Sequence, residues 1–207
     1  GELVDLMYDN SIARFSYEYD PLGRRTSLTD AYGKHEVSYD PSGQLAAAKW
    51  KGMGLERFGY DGSGNMLYNR EYDFDHGPGN RLLGDTCGRL RFAYDDDGNV
   101  IEKETPEGVT RFHWDSEGRL IRVTRPTGAV ITYDYDELGR KIRKRMGSSV
   151  WEWKYLGEDV IEENGPSGRK TYVHGPGIDE PLSMNGRKYF IADGLGSIRK
   201  LYGEEGE

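Results

Sequence analysis

The strongest constraint on this sequence is a short signature, an aromatic residue followed by Asp, two variable residues and Gly, that returns at a nearly constant interval. Neighbouring copies lie 20 or 21 residues apart, except across one longer interval in which Phe74 and Asp75 with Gly79 predict a degenerate copy. Self-similarity at such a period indicates an array of one small structural unit. The six clear copies are Tyr19, Asp20 and Gly23; Tyr39, Asp40 and Gly43; Tyr60, Asp61 and Gly64; Tyr94, Asp95 and Gly98; Trp114, Asp115 and Gly118; and Tyr135, Asp136 and Gly139.

The signature predicts a tight reversal of the chain. An Asp side chain at the start of a turn accepts a hydrogen bond from the backbone N–H two residues on, and Gly supplies the positive φ that closes a turn or a G1 bulge. A second set of turn residues follows the signature glycines after about ten positions, at Gly33, Gly108 and Gly128. A turn about every ten residues leaves about six residues for each strand, which is the commonest strand length.

The segments between the turns favour β-strands. Residues 109–114 and 130–135 are β-branched and aromatic with a period of two, and no window has the apolar stripe of an amphipathic helix. We therefore predict an all-β fold of repeated antiparallel hairpins, with about sixteen strands. A sheet with so many strands does not stay flat, so we expect a curved or spiralling ribbon that forms part of a wall.

Charge and composition limit the classes of partner. A formal net charge of −8 argues against nucleic acid, because phosphate binding requires a basic face. The basic residues within 119–125 and 140–145 alternate with apolar ones and are interpreted as solvated strand faces. No apolar run is long enough to span a bilayer, and no segment has the pattern of a signal peptide. The chain begins at Gly1 without Met, so we expect it to be a piece of a longer polypeptide.

No catalytic, cofactor-binding or metal-binding residue is predicted. The repeated Asp residues are explained by turns, acidic residues such as Glu162 and Glu163 by exposed strand faces, and the single Cys87 by packing as a small side chain. An active site needs neighbours that perturb pKa values, and the sequence indicates none. The four histidines lack further ligands at metal-site spacing, and two of them begin similar His-Gly-Pro-Gly loops: His35, His76, His113 and His174.

The aromatic residues support two interpretations. A ring repeated at one position of every unit favours stacking between neighbouring hairpins. Rows of rings on a sheet also suit stacking against sugars, so a carbohydrate- or cell-surface-binding module is the alternative function. Trp151 and Trp153 lie outside the strict repeat and, two residues apart, share one strand face. They are the candidate glycan contacts.

The signature followed by Arg or Asn resembles the YD repeats of Rhs proteins, a group whose relatives include shell-forming components of Tc toxins and the animal teneurins. Residues 172–182 followed by 189–199, with Asp193, Gly196 and Arg199, resemble the start of the core segment of bacterial Rhs proteins. The similarity covers nearly all of the chain. It assigns residues 1–150 to YD/Rhs hairpin repeats and residues 151–207 to the start of the core segment.

The resemblance implies a structural function. In this family, YD hairpins form a strip that spirals into a hollow shell, which holds a C-terminal toxin or effector of the same protein. The chain would then be a non-enzymatic shell fragment of a secreted or cell-surface bacterial polymorphic toxin, with the parent's own cargo as its partner. A second alternative, the non-catalytic part of an autoproteolytic Rhs protein, depends on residues beyond Glu207. Open sheet edges predict self-association of the isolated fragment.

Overall fold

Twenty-two β-strands carry the regular structure of the computed structural model, which describes residues 2–8 and 12–203. Consecutive strands pair in antiparallel hairpins, as in β2 with β3 (Ala13–Tyr19 with Arg25–Asp30). The predicted all-β hairpin fold is therefore confirmed. The chain divides into two compact units, Gly1–Tyr72 with Arg187–Glu207 and Asp73–Gly186.

The first unit contains one six-stranded sheet and two further hairpins. Its strands are β1 (Asp5–Tyr8), β2 (Ala13–Tyr19), β3 (Arg25–Asp30), β4 (Gly33–Tyr39), β5 (Leu45–Lys49), β6 (Leu55–Arg57), β7 (Gly59–Tyr60), β8 (Met66–Tyr68), β21 (Lys188–Ala192) and β22 (Ile198–Gly203). The sheet runs in sequence order from β1 to β6, while β7 pairs with β8 and β21 with β22. Phe15, Tyr17 and Leu28 form the core together with Ile191 of β21, so the last hairpin packs on the first strands.

The second unit is a meander in which each strand pairs with the next. Its strands are β9 (Phe74–His76), β10 (Leu82–Asp85), β11 (Arg91–Tyr94), β12 (Val100–Thr105), β13 (Gly108–Trp114), β14 (Leu120–Thr124), β15 (Val130–Tyr135), β16 (Lys141–Met146), β17 (Ser149–Leu156), β18 (Asp159–Gly165), β19 (Gly168–His174) and β20 (Pro181–Met184). A short 3-10 turn, Pro78–Asn80, joins β9 to β10. Leu90, Val123 and Ile131 are its buried apolar side chains among the described residues.

The predicted number of strands was too low. The ten-residue spacing of turns holds in the longer strands, but β6, β7, β8 and β9 contain only two or three residues each. The chain therefore changes direction more often between Leu55 and His76 than the repeat period predicts. Short strands bury little side-chain area, so this stretch is the least regular part of the array.

The two faces of the second sheet differ chemically, because successive residues of a strand point to opposite sides. On one face, the register places Tyr133 opposite Lys144 and Lys144 opposite Trp151. On the other face, ion pairs join neighbouring strands, as between Arg143 and Glu152 at 2.7 Å. The rings are concentrated on the first face, which also holds the ion pair between Glu163 and Lys170, and we call the second face the charged face.

Glu162 was predicted to lie on an exposed strand face, and this was wrong. Only 8% of its surface is exposed. The carboxylate accepts hydrogen bonds from Lys154, Asn164 and Arg169, and these bonds lower its pKa to about 2 although burial opposes ionisation. Three donors from β17, β18 and β19 therefore stabilise a buried carboxylate on the charged face.

A β-bulge accompanies the aromatic position of every clear repeat. The register shifts between Asp134 and Tyr135, and it shifts in the same way before the other signature aromatic residues. The same shift occurs before Tyr155, His174 and Ala192, where the sequence signature is incomplete. A bulge adds one residue on one strand and re-aims the next side chain. The structural repeat therefore extends beyond the six sequence copies.

Two local predictions in the long interval between repeats were wrong. Asp75 lies within β9 and does not open a turn, and Cys87 is exposed at a turn tip and is not packed. The hairpin turn follows His76 instead, where the Gly77 N–H donates to the carbonyl of Arg81. Gly77 therefore makes the closing bond that the signature Asp makes in other turns. The prediction placed the degenerate copy two residues too early, at Asp75.

Candidate functional site

The repeated turn is the best-defined local structure in the chain, and Asp136 illustrates it. The Asp136 N–H donates to the carbonyl of Arg140, and the Gly139 N–H donates back to the carbonyl of Asp136, each at 3.0 Å. Asp136 Oδ1 accepts from the N–H groups of Leu138 and Arg140, and Gly139 has a φ of 78°. The closing bond from the Asp N–H to the carbonyl four residues on is also present at Asp20, Asp40, Asp61, Asp95, Asp115 and Asp193.

An Arg after the signature Gly adds a second carboxylate contact. Arg140 Nε donates to Asp136 Oδ2 at 2.8 Å, and Arg119 Nε donates to Asp115 Oδ2 at 2.7 Å. The bond from Arg140 outweighs the opposing effect of burial and holds the pKa of Asp136 below its ordinary value. Both arginines had been assigned to solvated strand faces, but their side chains are only 22% and 31% exposed and belong to the turns.

In five of the six clear repeats, all but the one at Tyr60, the ring donates a hydrogen bond to the backbone of the preceding repeat. Tyr135 Oη donates to the carbonyl of Leu120 at 2.8 Å, and Trp114 Nε1 donates to that of Val100 at 2.8 Å. Burial raises the pKa of Tyr135, so its hydroxyl remains a donor at neutral pH. The same bond runs from Tyr19 to Leu3, Tyr39 to Arg25, Tyr94 to Leu82 and Tyr155 to Lys141, and a ring nitrogen of His174 lies 2.9 Å from the carbonyl of Val160.

The turn arginines also reach the next ring. The guanidinium carbon of Arg140 lies 4.9 Å from the ring centroid of Tyr155, and that of Arg119 lies 5.3 Å from the centroid of Tyr135. Arg24 over Tyr39 and Arg81 over Tyr94 repeat the contact. We call the ring-to-carbonyl bond, together with this cation–π contact where present, the repeat latch. It joins each turn to the ring of the following repeat.

Sequence reasoning missed three members of this series, Tyr155, His174 and Ala192. Each follows a bulge, and the first two make the backbone bond of the repeat latch. The available signal was spacing alone, because Tyr155 and His174 continue the period while their turns lack the Asp-x-x-Gly pattern. Ala192 has no ring, so the repeat there keeps its turn and loses its latch.

The candidate glycan contacts are largely occupied by protein groups. The ammonium of Lys144 lies 4.6 Å from the ring of Trp151, and a Cβ added to Gly165 would approach Trp151 Cδ1 to 2.7 Å, so that ring packs directly on the backbone. Trp153 Nε1 donates to Glu163, which also binds Lys170. Both indoles are half-buried. The structure therefore gives the carbohydrate interpretation no support.

Three residues of the core-segment motif, Asp193, Gly196 and Arg199, lie in the first unit. Asp193 opens a turn whose Gly196 has a φ of 81°, and Oδ1 of Asp193 accepts from the N–H groups of Leu195 and Ser197. Arg199 donates to Asp30 at 3.2 Å. The pKa of Asp30 is lowered, because hydrogen bonds from Tyr32 N–H, His35 and Arg199 outweigh the effect of burial.

A further contact holds the core-segment turn against the first hairpin. The Gly194 N–H donates to the hydroxyl oxygen of Tyr17 at 2.6 Å. Ile191, two residues before Asp193, is buried against Phe15 and Leu28. Asp193, Gly196 and Arg199 therefore act here as a turn and an anchor for the last hairpin.

The chemistry of these contacts is structural. Within residues 2–8 and 12–203, no group of three or more His, Cys, Asp or Glu side chains is arranged to hold a metal ion. Over the same residues, no helix combines the length and apolar character needed to cross a membrane. The perturbed carboxylates described above have their pKa values lowered by hydrogen bonds, which favours permanent ionised acceptors over proton-transfer groups.

Comparison with known proteins agrees with a repeat wall. The family profile described as teneurin YD-shell matches residues 28–150. The chain is 31% identical over 185 residues to the double-stranded DNA deaminase toxin A of Burkholderia cenocepacia (strain H111), across 81% of this chain and 13% of that protein. It is 31% identical over 159 residues to Teneurin-3 of Danio rerio, across 70% of this chain and 6% of that protein.

Among solved structures, the Photorhabdus luminescens Tc holotoxin pore aligns with a TM-score of 0.45 and 16% identity, over 93% of this chain and 12% of that one. The chain thus spans a small part of the proteins that it matches. The activities in their names are those of the whole proteins.

Proposed function

Because the chain belongs to the teneurin YD-shell family, we propose that it is a non-enzymatic segment of a shell wall, and that in a longer parent protein this wall encloses a C-terminal toxin or effector. The observation that carries the proposal is the repeat latch. It uses the most repeated side chains, the signature aromatic residues, to tie every clear repeat except the one at Tyr60 to the hairpin before it. A wall that must stay closed requires such ties at regular intervals.

The chemistry of the repeats supports this assignment over catalysis. In the turn at Asp136, the carboxylate accepts from two backbone N–H groups and from Arg140, which leaves it little capacity to move a proton. The guanidinium of the same Arg140 lies over the ring of Tyr155, and the Tyr155 hydroxyl donates to the carbonyl of Lys141. The signature residues therefore contact one another, and their repetition serves the continuity of the sheet.

Containment can be tested by proteolysis of the full parent protein. We expect its C-terminal region to be protected from trypsin in the wild type and to be cut when two rings are removed together, as in the double variant Tyr135→Ala and Tyr155→Ala. Tyr32→Ala is a matched control, because Tyr32 is 72% exposed at a turn and makes no repeat latch. Equal cutting rates for the wild-type C-terminal region and the same region expressed alone would contradict containment.

A parent protein with such a cargo would act on other cells, so we propose a secreted or cell-surface location for it. The isolated chain presents β1 and β6 as the edge strands of its six-stranded sheet. Unpaired edges bind other strands, and we expect self-association that grows with concentration in light scattering. A monomer whose mass is independent of concentration would contradict this expectation.

A further inference from the structure

A cavity of about 270 Å³ lies within the first unit, between strands β3 to β5 and the turn that Asp193 opens. Apolar and aromatic side chains form much of its wall, among them Leu28, Tyr39 and Trp50. Arg25, Asp193 and Arg199 supply charge. The volume is just below the usual range for drug-sized ligands, so the cavity suits one ring or one short chain.

Arg25 is the exceptional group in this wall. Its Nε is buried and has no hydrogen-bond partner in the part of the chain that the structure describes. Within residues 2–8 and 12–203, no carboxylate oxygen forms an ion pair with Arg25, whereas Arg24 pairs with Asp20 and Arg199 with Asp30. The guanidinium carbon of Arg25 lies 4.1 Å from the ring centroid of Tyr17. That contact favours the positive charge but supplies no oxygen acceptor for the N–H group.

A buried guanidinium N–H without an acceptor is costly in a folded protein. The guanidinium of Arg25 also lines the cavity without a carboxylate partner among the described residues, and the ligand group that best matches its planar donors is a carboxylate with two oxygens. The apolar wall favours an uncharged aromatic or aliphatic body behind that carboxylate. A phosphate dianion fits less well, because the negative charge of Asp193 in the wall opposes a dianion more strongly than a monoanion, and the rings would replace the hydration of phosphate poorly.

We propose that this cavity binds a small carboxylate with an aromatic or aliphatic body, held by Arg25 and stacked against the rings of Tyr39 and Trp50. The shared chemistry is a carboxylate attached to one apolar group. It is offered either by a free organic acid or by the C-terminal residue of a peptide. This binding is separate from the wall function, and neither depends on the other.

Titration of the wild-type 207-residue chain with benzoate tests the site directly by nitrogen-15 NMR. We expect a saturable shift of the Arg25 Nε–H and of the Trp50 indole resonances, and benzamide, which has the same shape without the charge, should leave both unmoved. Inorganic phosphate should shift them less than benzoate at equal concentration. An unmoved Arg25 signal, or equal responses to benzoate and benzamide, would overturn the proposal.

Capped peptides distinguish the two sources of the carboxylate. Acetyl-Gly-Gly-Phe with a free C-terminus is compared with the same peptide amidated and with benzoate. Tighter binding of the free-acid peptide than of benzoate assigns a chain terminus as the occupant, and the reverse order assigns a free acid. Failure of both acids to bind overturns the proposal.

Substitution of Arg25 identifies the donor. Arg25→Met keeps a chain that can lie on Tyr17 but removes every N–H group, and we expect it to weaken benzoate binding at least tenfold. Arg57→Met, at an exposed position of β6, is the matched control and should bind as the wild type does. Unchanged affinity in Arg25→Met would refute the assignment. If that variant does not fold, the wild-type NMR titration decides alone.

Discussion

The turns that end in Gly-Arg differ from those that end in Gly-Asn, although both have the same backbone. At Asp115 and Asp136 the following Arg binds the carboxylate and covers the next ring. At Asp95 the amide of Asn99 donates to the same carboxylate oxygen at 3.0 Å, and Asn65 does so at Asp61 at 2.8 Å.

The difference separates two functions of one motif. A neutral carboxamide can satisfy the carboxylate of its own turn, but it cannot make a cation–π contact with the next repeat. Asp and Gly therefore suffice to close a hairpin, whereas Arg also ties that hairpin to its successor. The ring-to-carbonyl bond is common to both classes, since Trp114 follows an Asn-closed turn and Tyr135 an Arg-closed one.

Acid should have the largest effect, because it acts on both classes of turn at once. The pKa of Asp95 and that of Asp136 are both lowered from 3.8, and that of Glu162 is lowered from 4.5 to about 2. A group with a depressed folded-state pKa stabilises the protein fully above its unfolded-state value, and this stabilisation is lost as the pH falls through the folded-state value. We expect urea midpoints to fall steeply between pH 4.5 and about 2.

Glu162→Gln provides the comparison for the acid effect. This variant should be less stable than the wild type at neutral pH and should lose less stability across the acid window, because its side chain cannot be protonated there. Urea midpoints that stay constant down to pH 2 in the wild type would show that these carboxylates do not stabilise the fold.

The signature Gly should stabilise the Gly-Arg and Gly-Asn turns about equally. Gly139→Ala and Gly98→Ala force a side chain into positive φ, at 78° and 89°, and each should cost about 1–2 kcal/mol of unfolding free energy. An added Cβ at Gly139 meets nothing within 4 Å, so the cost is conformational. Gly62→Ala, at a turn position with equal space and without positive φ, should cause no loss. Denaturant titration measures all three, and a loss at Gly62 equal to that at Gly139 would contradict the conformational argument.

Loss of the hydrogen bond from the ring should lower the unfolding free energy less than loss of the signature Gly. Tyr135→Phe removes the donor to Leu120 and keeps the ring beneath Arg119, so we expect a loss of about 1 kcal/mol. Tyr32→Phe is the control, because Tyr32 is exposed at a turn tip. Equal stability of the Tyr135→Phe variant and the wild type in urea would show that the hydroxyl adds nothing to the latch.

The smallest change in stability should come from converting a Gly-Asn turn into a Gly-Arg turn or the reverse. Asn99→Arg places a guanidinium where it can bind Asp95 and cover Trp114, and a gain of about 0.5–1 kcal/mol is expected from the new cation–π contact. Arg119→Asn should move stability in the opposite direction. Thermal melts of the two single variants and of the double variant measure these stability changes. A destabilised Asn99→Arg variant would show that the Arg-closed and Asn-closed turns are not interchangeable.

The turns could be predicted from the sequence because their chemistry is local. Asp accepts from N–H groups two and four residues on, and Gly139 supplies its φ without help from distant residues. The partners of the rings could not be predicted, because Tyr135 finds Leu120 only after β14 and β15 have paired. Tyr155 lacked the Asp and Gly that made other copies visible, although its backbone contact is the same.

The errors at Glu162 and Arg140 have a common cause. Glu162 and Arg140 are charged residues in strands or turns, and such residues are ordinarily solvated, but partners contributed by neighbouring strands cover them here. The cavity beside Arg25 depends on β21 and β22 packing against β2 and β3, a contact between residues far apart in the chain. Local patterns contain no information about such contacts.

The ring bonds of the repeat latch all point one way along the chain. Tyr135 reaches back to Leu120, and Tyr155 reaches back to Lys141, so a hairpin is completed by the one that comes after it. Ribosomes deliver the N-terminus first. During synthesis, each newly emerged ring of the second unit would therefore seal the hairpin before it, whereas the first hairpin would wait for Ile191 near the end of the chain to complete its core.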